Sequence, residues 1–380
     1  METTPAETTR DARMAAVAND APLAGTLHIH VAFDWGGEVD LDRARRLVPA
    51  EWLTLPRRPR TPPSIDYRPP PLRFVLANVV LDLPEVGRIT ATAEATVFDF
   101  AAVSVALQLP FALPASALSR LAGSLADPKG LVQTAHAAIE PLYQKLLPAI
   151  QQPDWCDLSE EYFVFQLTPG GPLPSPAELL AQHAAWLAGL LRLEEAPLSD
   201  EEVSEALKLY LRYGPEDLLI AEWSAAALID RDCDETLRAI EFANLQLLEF
   251  RHIDGRLDHN LKEAYRLVHP LADSYLPFWR THSRKLRALG ELKIDANDVF
   301  ERTGNVLKLV GDQYLARVYR MLAVRFHLDS WERSIERSLA TIQGVYQVVS
   351  DQAASFRAEF LEWIIIGLIA VEIVMGVLKW

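Results

Sequence analysis

Two histidines and an aspartate, His28, His30 and Asp34, are the residues whose spacing comes closest to a chemical site. They lie in the run TLHIHVAFDW, which has the alternation of a β-strand over residues 26–35. Residues two and four apart in a strand share one face, so all three side chains would point the same way. Imidazole and carboxylate groups act as general acids and bases or as metal ligands, but a metal site needs a further ligand that this run does not supply. The spacing leaves two interpretations, an enzyme pocket or a polar sheet face, and favours the polar face.

The other candidate residues give weaker evidence of a chemical site. His252 and His259 lie seven residues apart on one helical face among aspartates, where a solvated charged face is the simpler interpretation. The glycine pairs at residues 36–37 and 170–171 do not lead into a phosphate-binding helix, and no serine lies in a G-x-S-x-G turn. Cys156 and Cys233 have no His or Cys neighbours at metal spacing. The sequence therefore predicts no catalytic residue, no cofactor and no metal, and so a non-enzymatic protein.

A proline-rich loop carries arginines that could contact an anion. Arg57, Arg58 and Arg60 lie between Pro56 and Pro71, where repeated prolines exclude a helix interior or a central strand. These arginines could touch lipid headgroups or RNA, or they could simply be exposed in a loop. The formal net charge of −15 repels phosphates, so direct binding of nucleic acid by the surface as a whole is not expected.

The first 230 residues have the pattern of a β-rich α+β domain, which we place at residues 23–230. Runs rich in Val, Thr, Phe and Ile predict strands within residues 26–35, 72–83, 88–111, 161–167 and 217–229. Helices are predicted near residues 115–147 and from Ser175, a favourable N-cap that precedes Pro176. Residues 1–22 are acidic and lack an apolar core, which predicts a disordered tail in a bacterial-type cytoplasm rather than a signal or transit peptide.

Beyond residue 230, apolar residues recur every three or four positions, which predicts a helical, coiled-coil-like domain over residues 231–359. One stripe begins at Trp331 and continues through residues 335, 339, 342, 346, 349, 353, 356 and 360. An earlier stripe from Ile240 to Val268 could pack against it as an antiparallel partner within one chain. An intermolecular coiled coil is the alternative. The pattern predicts long antiparallel helices and a homo-oligomer.

The closing run WIIIGLIAVEIVMGVLKW is predicted to be a single transmembrane helix, within residues 360–380. As a helix it would rise about 27 Å, close to the roughly 30 Å of the hydrocarbon layer. Trp363 and Trp380 bracket the run, Lys379 could reach the headgroups, and Glu372 would be protonated or paired near the middle. A lipid bilayer is thus an expected partner. The mean hydropathy of +0.04 is too low for several spans.

Three stretches of the C-terminal third resemble the family named for "required for meiotic nuclear division", which includes the bacterial YagE-type proteins. They are LRAIEFANLQLLEFRHIDGRLD, YLARVYRMLAVRFHLDSWERSIERSLATIQGVYQVVSD and RAEFLEWIIIGLIAVEIV. The resemblance implies a bacterial member with a C-terminal anchor that forms oligomers, and its eukaryotic relatives link the family to mitochondrial translation. It also implies structural and interaction roles for Arg325, Trp331, Glu332, Leu361, Glu362, Trp363 and Glu372.

Together these patterns predict a non-enzymatic scaffold or organising protein. It would be anchored by its C-terminus in the bacterial inner membrane with its bulk facing the cytoplasm, and linked to translation through the resemblance alone. Two alternatives stay open: a membrane-tethered enzyme with a pocket in the α+β domain, and a soluble protein whose C-terminal helix is buried. The sequence names no protein partner.

Overall fold

The computed structural model describes residues 21–53, 69–268, 287, 290 and 313–378. Residues 1–20 of the predicted tail, the anion-contact arginines Arg57, Arg58 and Arg60, and the two terminal residues Lys379 and Trp380 lie outside these residues. The described residues form a mixed α+β structure with one nine-stranded sheet. Its strands are β1 Leu23–Asp34, β2 Leu72–Val75, β3 Val79–Leu83, β4 Gly87–Val97, β5 Ala102–Leu113, β6 Ser159–Leu167, β7 Tyr210–Leu211, β8 Leu218–Ala221 and β9 Ala225–Ile229.

The strand order is β2-β4-β5-β1-β6-β9-β8-β7, and β3 pairs with a second part of β4. Neighbouring strands are antiparallel except β6 and β9, which run parallel. A parallel pair needs a long crossover, and here the chain between β6 and β9 supplies it with helices and two further strands. The long strand β1 lies between β5 and β6, so its side chains reach both faces of the sheet near its centre.

Helices make up most of the remaining described residues. In chain order they are α1 Leu41–Leu47, α2 Ala115–Ser124, α3 Lys129–Leu146, α4 Pro176–Gln182, α5 Ala184–Arg192, α6 Asp200–Ala206, α7 Asp234–Val268, α8 Gln313–Arg325 and α9 Leu328–Leu378, with short 3₁₀ turns at Ala50–Trp52 and Leu147–Ala149. The cap predicted at Ser175 is confirmed: its hydroxyl accepts from the Glu178 amide, and Glu178 bonds back to the Ser175 amide. The helix predicted there is divided at His183 into α4 and α5.

One face of the sheet forms the main apolar core. Leu27, Ile29, Val31 and Phe33 alternate along β1 and are buried together with apolar side chains of α2, α3 and α5. The period of two that buries these residues places the intervening ones on the opposite face. That second face carries His28, His30 and Asp34.

Two runs predicted as single strands are folded as hairpins. Residues 88–111 turn between β4 and β5, where Phe98 and Ala102 pair and Ala101 has a φ of +67°. Residues 217–229 turn between β8 and β9, where the Glu222 amide donates to the Ala225 carbonyl. Both turns lack Gly, Pro and Asn, the residues that most often mark a turn. The apolar pattern therefore continues without a break, and each run was predicted as one strand.

Two compact units make up the chain. One comprises Met1–Glu249 and Val306–Asp329, and the other comprises Phe250–Asn305 and Ser330–Trp380. The first holds the sheet with the N-terminal part of α7 and all of α8. The domain limits proposed from the sequence stay a prediction.

No helix in the described part of the chain is both long enough and apolar enough to cross a bilayer. The prediction of a C-terminal transmembrane helix is therefore wrong, and the inner-membrane anchor and location that it implied are withdrawn with it. The run that suggested a span is the end of α9, a helix of 51 residues rather than a separate element.

Gly25 is required where β1 passes closest to its neighbours. A Cβ at this position would lie 2.1 Å from the Gln166 carbonyl oxygen and 2.6 Å from the Phe111 ring. We expect Gly25→Ala to lower the free energy of unfolding by about 1–3 kcal/mol or more, because backbone and ring must both move.

Urea denaturation measures this loss, and Gly130→Ala in the first turn of α3 is the matched control. A Cβ at Gly130 meets no atom within 4 Å, so this change should leave stability unchanged or raise it by up to about 1 kcal/mol. Equal stability of the two variants would show that β1 can shift at no cost.

Candidate functional site

The second face of the sheet is a buried polar layer. His28, His30 and Asp34 lie on this face of β1 with only 5%, 4% and 4% of their surfaces exposed. The period of two therefore brings the three predicted residues to one face, as the sequence indicated. The Asp34 carboxylate accepts a hydrogen bond of 2.7 Å from the Gly36 amide, which ties it to the turn after the strand.

The two histidines of this layer differ in their partners. His28 Nε2 donates to Gln166 Oε1 over 2.8 Å, and Gln166 Nε2 donates in turn to the Asp230 carbonyl. Neither ring nitrogen of His30 has a hydrogen-bond partner among the described residues. Such a group is costly in a folded protein and marks a position under some further constraint.

Burial decides the protonation of both histidines. It lowers the pKa of His30 to about 4, with the Glu241 carboxylate opposing this shift and His28 and Arg73 adding to it. Burial likewise lowers the pKa of His28, while its hydrogen bond to Gln166 opposes the change. Both rings are thus neutral near pH 7, because a charged imidazole would lose its hydration.

Helix α7 covers this layer with polar side chains of its own. Every residue from 241 to 250 is buried, including Glu241 and Asn244. Arg73 Nη2 on β2 donates to Glu241 Oε2 over 3.3 Å, and Asn244 Nδ2 donates to the Glu160 carbonyl over 3.1 Å. The apolar part of the contact consists of Leu245 and Leu248 with Ala32, Phe98 and Ala102.

Helix α8 joins the same unit through α7 and through the sheet. The Tyr319 hydroxyl donates to Gln246 Oε1, and its ring lies 5.8 Å from that of Phe242. At the end of α8, Arg325 Nε donates to the Ala221 carbonyl over 3.1 Å. The helix is therefore held by polar contacts at two points.

Glu222 is the centre of a second buried cluster. Its carboxylate lies 2.9 Å from Arg192 Nε on α5 and 2.7 Å from Arg325 Nη1 on α8. Only 3% of Glu222 is exposed, and burial raises its pKa although both arginines oppose the shift. The Tyr162 hydroxyl donates to the Glu222 carbonyl, and burial raises the pKa of that phenol. One carboxylate thus connects the β8–β9 turn to two helices.

The chemistry available to these clusters is pairing and positioning. No set of three or more His, Cys, Asp or Glu side chains in the described residues is arranged to hold a metal ion. Two free cysteines are present, Cys156 half-buried and Cys233 buried, and burial raises the pKa of both thiols. A raised pKa leaves little thiolate at neutral pH, so neither has the activation expected of a nucleophile.

The other residues singled out from the sequence are scattered. Arg325 is buried in the Glu222 cluster, and Trp331 and Glu332 are half-buried at the start of α9. Near the other end of that helix, Leu361, Glu362, Trp363 and Glu372 are all exposed. His252 is half-buried and His259 is exposed on α7. The roles proposed for these residues stay predictions.

Sequence reasoning missed most of the polar residues that the structure brings together. Glu241 and Asn244 had a detectable signal, because they stand three apart in a mostly apolar stretch of α7 and would face the same way. Glu222, Arg192 and Arg73 had none, since their partners come from distant parts of the chain.

Comparison with known proteins finds a family that matches the N-terminal part of the chain. The model of one protein family, described as "Uncharacterized protein MJ0711, N-terminal domain", matches residues 24–235. The protein of that name from Methanocaldococcus jannaschii is 26% identical over 210 residues, which are 54% of this chain and 62% of that protein. The chain thus matches less than two thirds of this relative's length. No solved structure matches the chain.

These matches overturn the resemblance drawn from the C-terminal third. They give no support to the family named for meiotic nuclear division or to a bacterial member of it, so that prediction is wrong. Short helical stretches with apolar residues three and four apart recur in many unrelated proteins, which is why they misled. The expected link to translation falls with the resemblance.

The buried His30 should make the fold sensitive to acid. Its pKa is about 4 in the folded chain and about 6.5 when unfolded, so the unfolded chain binds more protons between these values. The free energy of unfolding should fall as pH drops from 6.5 to 4, by about 3 kcal/mol from this group. We expect His30→Gln to remove this part of the pH dependence in denaturation measured across that range.

His259→Gln is the control, because His259 is exposed on α7 and should leave the wild-type slope unchanged. His30→Gln and wild-type curves that stay parallel between pH 6.5 and 4 would contradict the assignment.

The Glu222 cluster should be a major source of stability. Glu222→Gln removes the carboxylate charge beside Arg325, which is buried, and beside Arg192, which is half-buried. The free energy of unfolding should therefore drop by about 3–5 kcal/mol. Arg325→Met should cost a similar amount, and the double variant should lose less than the sum because the two groups act together. Chemical denaturation of the three variants measures the coupling.

Glu85→Gln is the matched control. Its carboxylate pairs with Arg120 at 2.8 and 2.9 Å at the surface, where removal of the charge should change stability little. An equal loss in the Glu85 and Glu222 variants would mean that burial of the Glu222 cluster contributes nothing.

Proposed function

We propose that this chain, which belongs to the family of the uncharacterized protein MJ0711, N-terminal domain, is a non-enzymatic organising protein that assembles with further copies of itself through the end of α9. It differs from the alternative of a soluble protein with a buried C-terminal helix, because here other copies of the chain cover the helix. The family's name carries no activity, so the proposal rests on the physical character of the helix and of the α+β unit.

The observation that carries the proposal is a continuous exposed apolar run on α9, residues 361–375, which we call the apolar run. Every residue in it is exposed. Eleven of its side chains are large and apolar, with 42–72% of their surface exposed. They are Leu361, Trp363, Ile364, Ile365, Ile366, Leu368, Ile369, Val371, Ile373, Val374 and Met375. A helix that is apolar on all sides is stable only when other groups surround it.

The exposed area is large enough for a protein interface. Full burial of one aliphatic side chain removes roughly 100 Å² of apolar surface from water. Eleven such side chains at about half exposure therefore present roughly 600 Å², the upper end for the largest apolar patch of a typical monomer. Specific complexes bury about 800 Å² on each partner. The apolar run alone could thus supply most of one side of an interface.

Further copies of this chain are the occupant that fits the apolar run best. Surrounding a helix on all sides takes several neighbours, and in a symmetric bundle each helix both covers and is covered. Copies of one chain also match each other in the length of the run. Selection of a different partner normally uses charged flanking positions, and Glu372 is the single charged residue of the run after Glu362.

The α+β unit supports an organising rather than a chemical role. Two of its buried carboxylates pair with arginines of other elements: Glu222 with Arg192 and Arg325, and Glu241 with Arg73. These pairs hold α7 and α8 against the sheet. A unit whose charged groups serve internal attachment is suited to presenting a rigid surface.

Sedimentation velocity of the purified full-length chain tests the proposal. We expect a mass that is a multiple of 42.5 kDa at micromolar concentration. Ile365→Asn with Ile369→Asn should weaken self-association at least tenfold, because each change removes about 1.5–3 kcal/mol of apolar burial from one helical face. Circular dichroism checks that the helix remains.

The matched control is Glu336→Asn with Ala340→Asn, two exposed positions with the same spacing on the same helix, which should leave the mass unchanged. A wild-type chain that is monomeric at all concentrations would overturn the proposal. So would flotation of the chain with phosphatidylcholine vesicles accompanied by a monomer mass in detergent, since lipid would then be the occupant.

A further inference from the structure

Glu372 stands alone in the apolar run. It is the only charged residue between Trp363 and Leu378, and its side chain is exposed. The residues three and four positions before it are Ile369 and Leu368, and Met375 follows three positions later. Any neighbour that covers this side of α9 therefore covers a carboxylate together with apolar groups.

The following inference rests on the proposed self-association, because only an assembly removes Glu372 from water. An ionised carboxylate that loses its hydration needs a charge or hydrogen-bond partner. Apart from Glu372, the apolar run after Glu362 has one side chain with a polar atom, Trp363, whose indole N–H can donate a hydrogen bond but cannot share a proton with a carboxylate. A partner that can share a proton with this carboxylate must therefore come from the same position of another copy.

The direction of packing decides between these outcomes. In an antiparallel pair centred on the apolar run, Glu372 would lie beside Ile364 of the neighbouring copy, which can form no hydrogen bond. In a parallel pair in register, each Glu372 lies beside its counterpart. Two carboxylates repel, but when one is protonated its O–H donates to the other, and the pair shares one proton. A single polar residue in an apolar seam fixes register in coiled coils in the same way.

We propose that copies of this chain associate in parallel and in register, with Glu372 against Glu372, and that each such pair takes up one proton from solvent as it forms. The proton enters one carboxyl group and is shared in a hydrogen bond with the other. The assembly is consequently tighter in acid and looser in alkali. The next charged residue of the helix, Glu362, lies about 15 Å away along the axis and stays at the edge of the run.

The self-association constant measured by sedimentation from pH 5 to 8 tests proton uptake. For wild type we expect it to rise as pH falls, by up to tenfold per pH unit for one proton per pair. Glu372→Gln should associate more tightly than wild type at pH 8 and lose this dependence, because two amides form hydrogen bonds without a proton. The ratio of the two constants at each pH removes contributions from other titrating groups.

Glu362→Gln is the matched control and should retain the wild-type pH dependence. It removes a carboxylate from the same helix at the edge of the run.

A charge exchange tests the parallel register separately. Glu372→Lys alone should associate at least tenfold more weakly than wild type at pH 8. Mixed with wild type, it should form hetero-assemblies that are tighter than either homo-assembly, because only a parallel register places Lys against Glu. A mass tag on the Glu372→Lys chain distinguishes it from wild type in the mixture.

Self-association and the register of the Glu372 pair are separated by these measurements. Wild type and Glu372→Gln that associate equally at every pH, or a mixture without hetero-preference, would overturn the register and proton uptake but leave self-assembly intact. Absence of association in wild type and in Glu372→Gln at every pH would overturn the proposed function itself.

Discussion

Charged and polar side chains that are buried in the α+β unit must find partners, and this requirement organises the unit. Removing a charge from water costs several kcal/mol unless another charge or a set of hydrogen bonds replaces the hydration. Glu222 satisfies it with arginines from α5 and α8. Arg73 satisfies it with Glu241 of α7. The positions of these helices are therefore selected by ionic pairing as well as by apolar contact.

His30 shows where this pairing is incomplete. Its ring lies in the polar layer with no hydrogen-bond partner among the described residues, and burial keeps it neutral. A neutral imidazole costs less to bury than a charged one, so the fold tolerates the missing partner at neutral pH. The apolar face of the same strand needs no hydrogen-bond partners for its side chains, because Ile29 and Val31 require only close packing. One face of β1 thus packs in an apolar core, whereas the packing of the other face depends on His30 remaining neutral.

The end of α9 presents the opposite imbalance. The polar layer consists of polar and charged groups enclosed by protein, whereas residues 361–375 are mostly apolar groups left in contact with solvent. Both arrangements are unfavourable unless a partner is supplied. In the α+β unit the partners come from the chain itself, and for the apolar run we have argued that they come from other copies. The carboxylate of Glu372 then makes the register and the strength of self-association depend on proton uptake.

Local pattern predicted much of the architecture. The strands near the N-terminus, the shared face of His28, His30 and Asp34, the cap at Ser175 and the long helices after residue 230 all follow from spacing along the chain. The apolar pattern did not separate β4 from β5 or β8 from β9, because neither turn contains the Gly, Pro or Asn that marks a hairpin most strongly. It also assigned a membrane span to the end of α9, since an apolar run reads the same whether lipid or protein is to cover it.

The sequence by itself determined which segments tend to form helices and which tend to form strands, because the periodicity of apolar residues depends on neighbouring residues alone. Only the tertiary structure decided that β1 lies between β5 and β6, that β6 runs parallel to β9, and that Arg192 and Arg325 meet at Glu222. These pairings join residues far apart in the chain. Their energy depends on burial and distance, which exist only after the chain has folded.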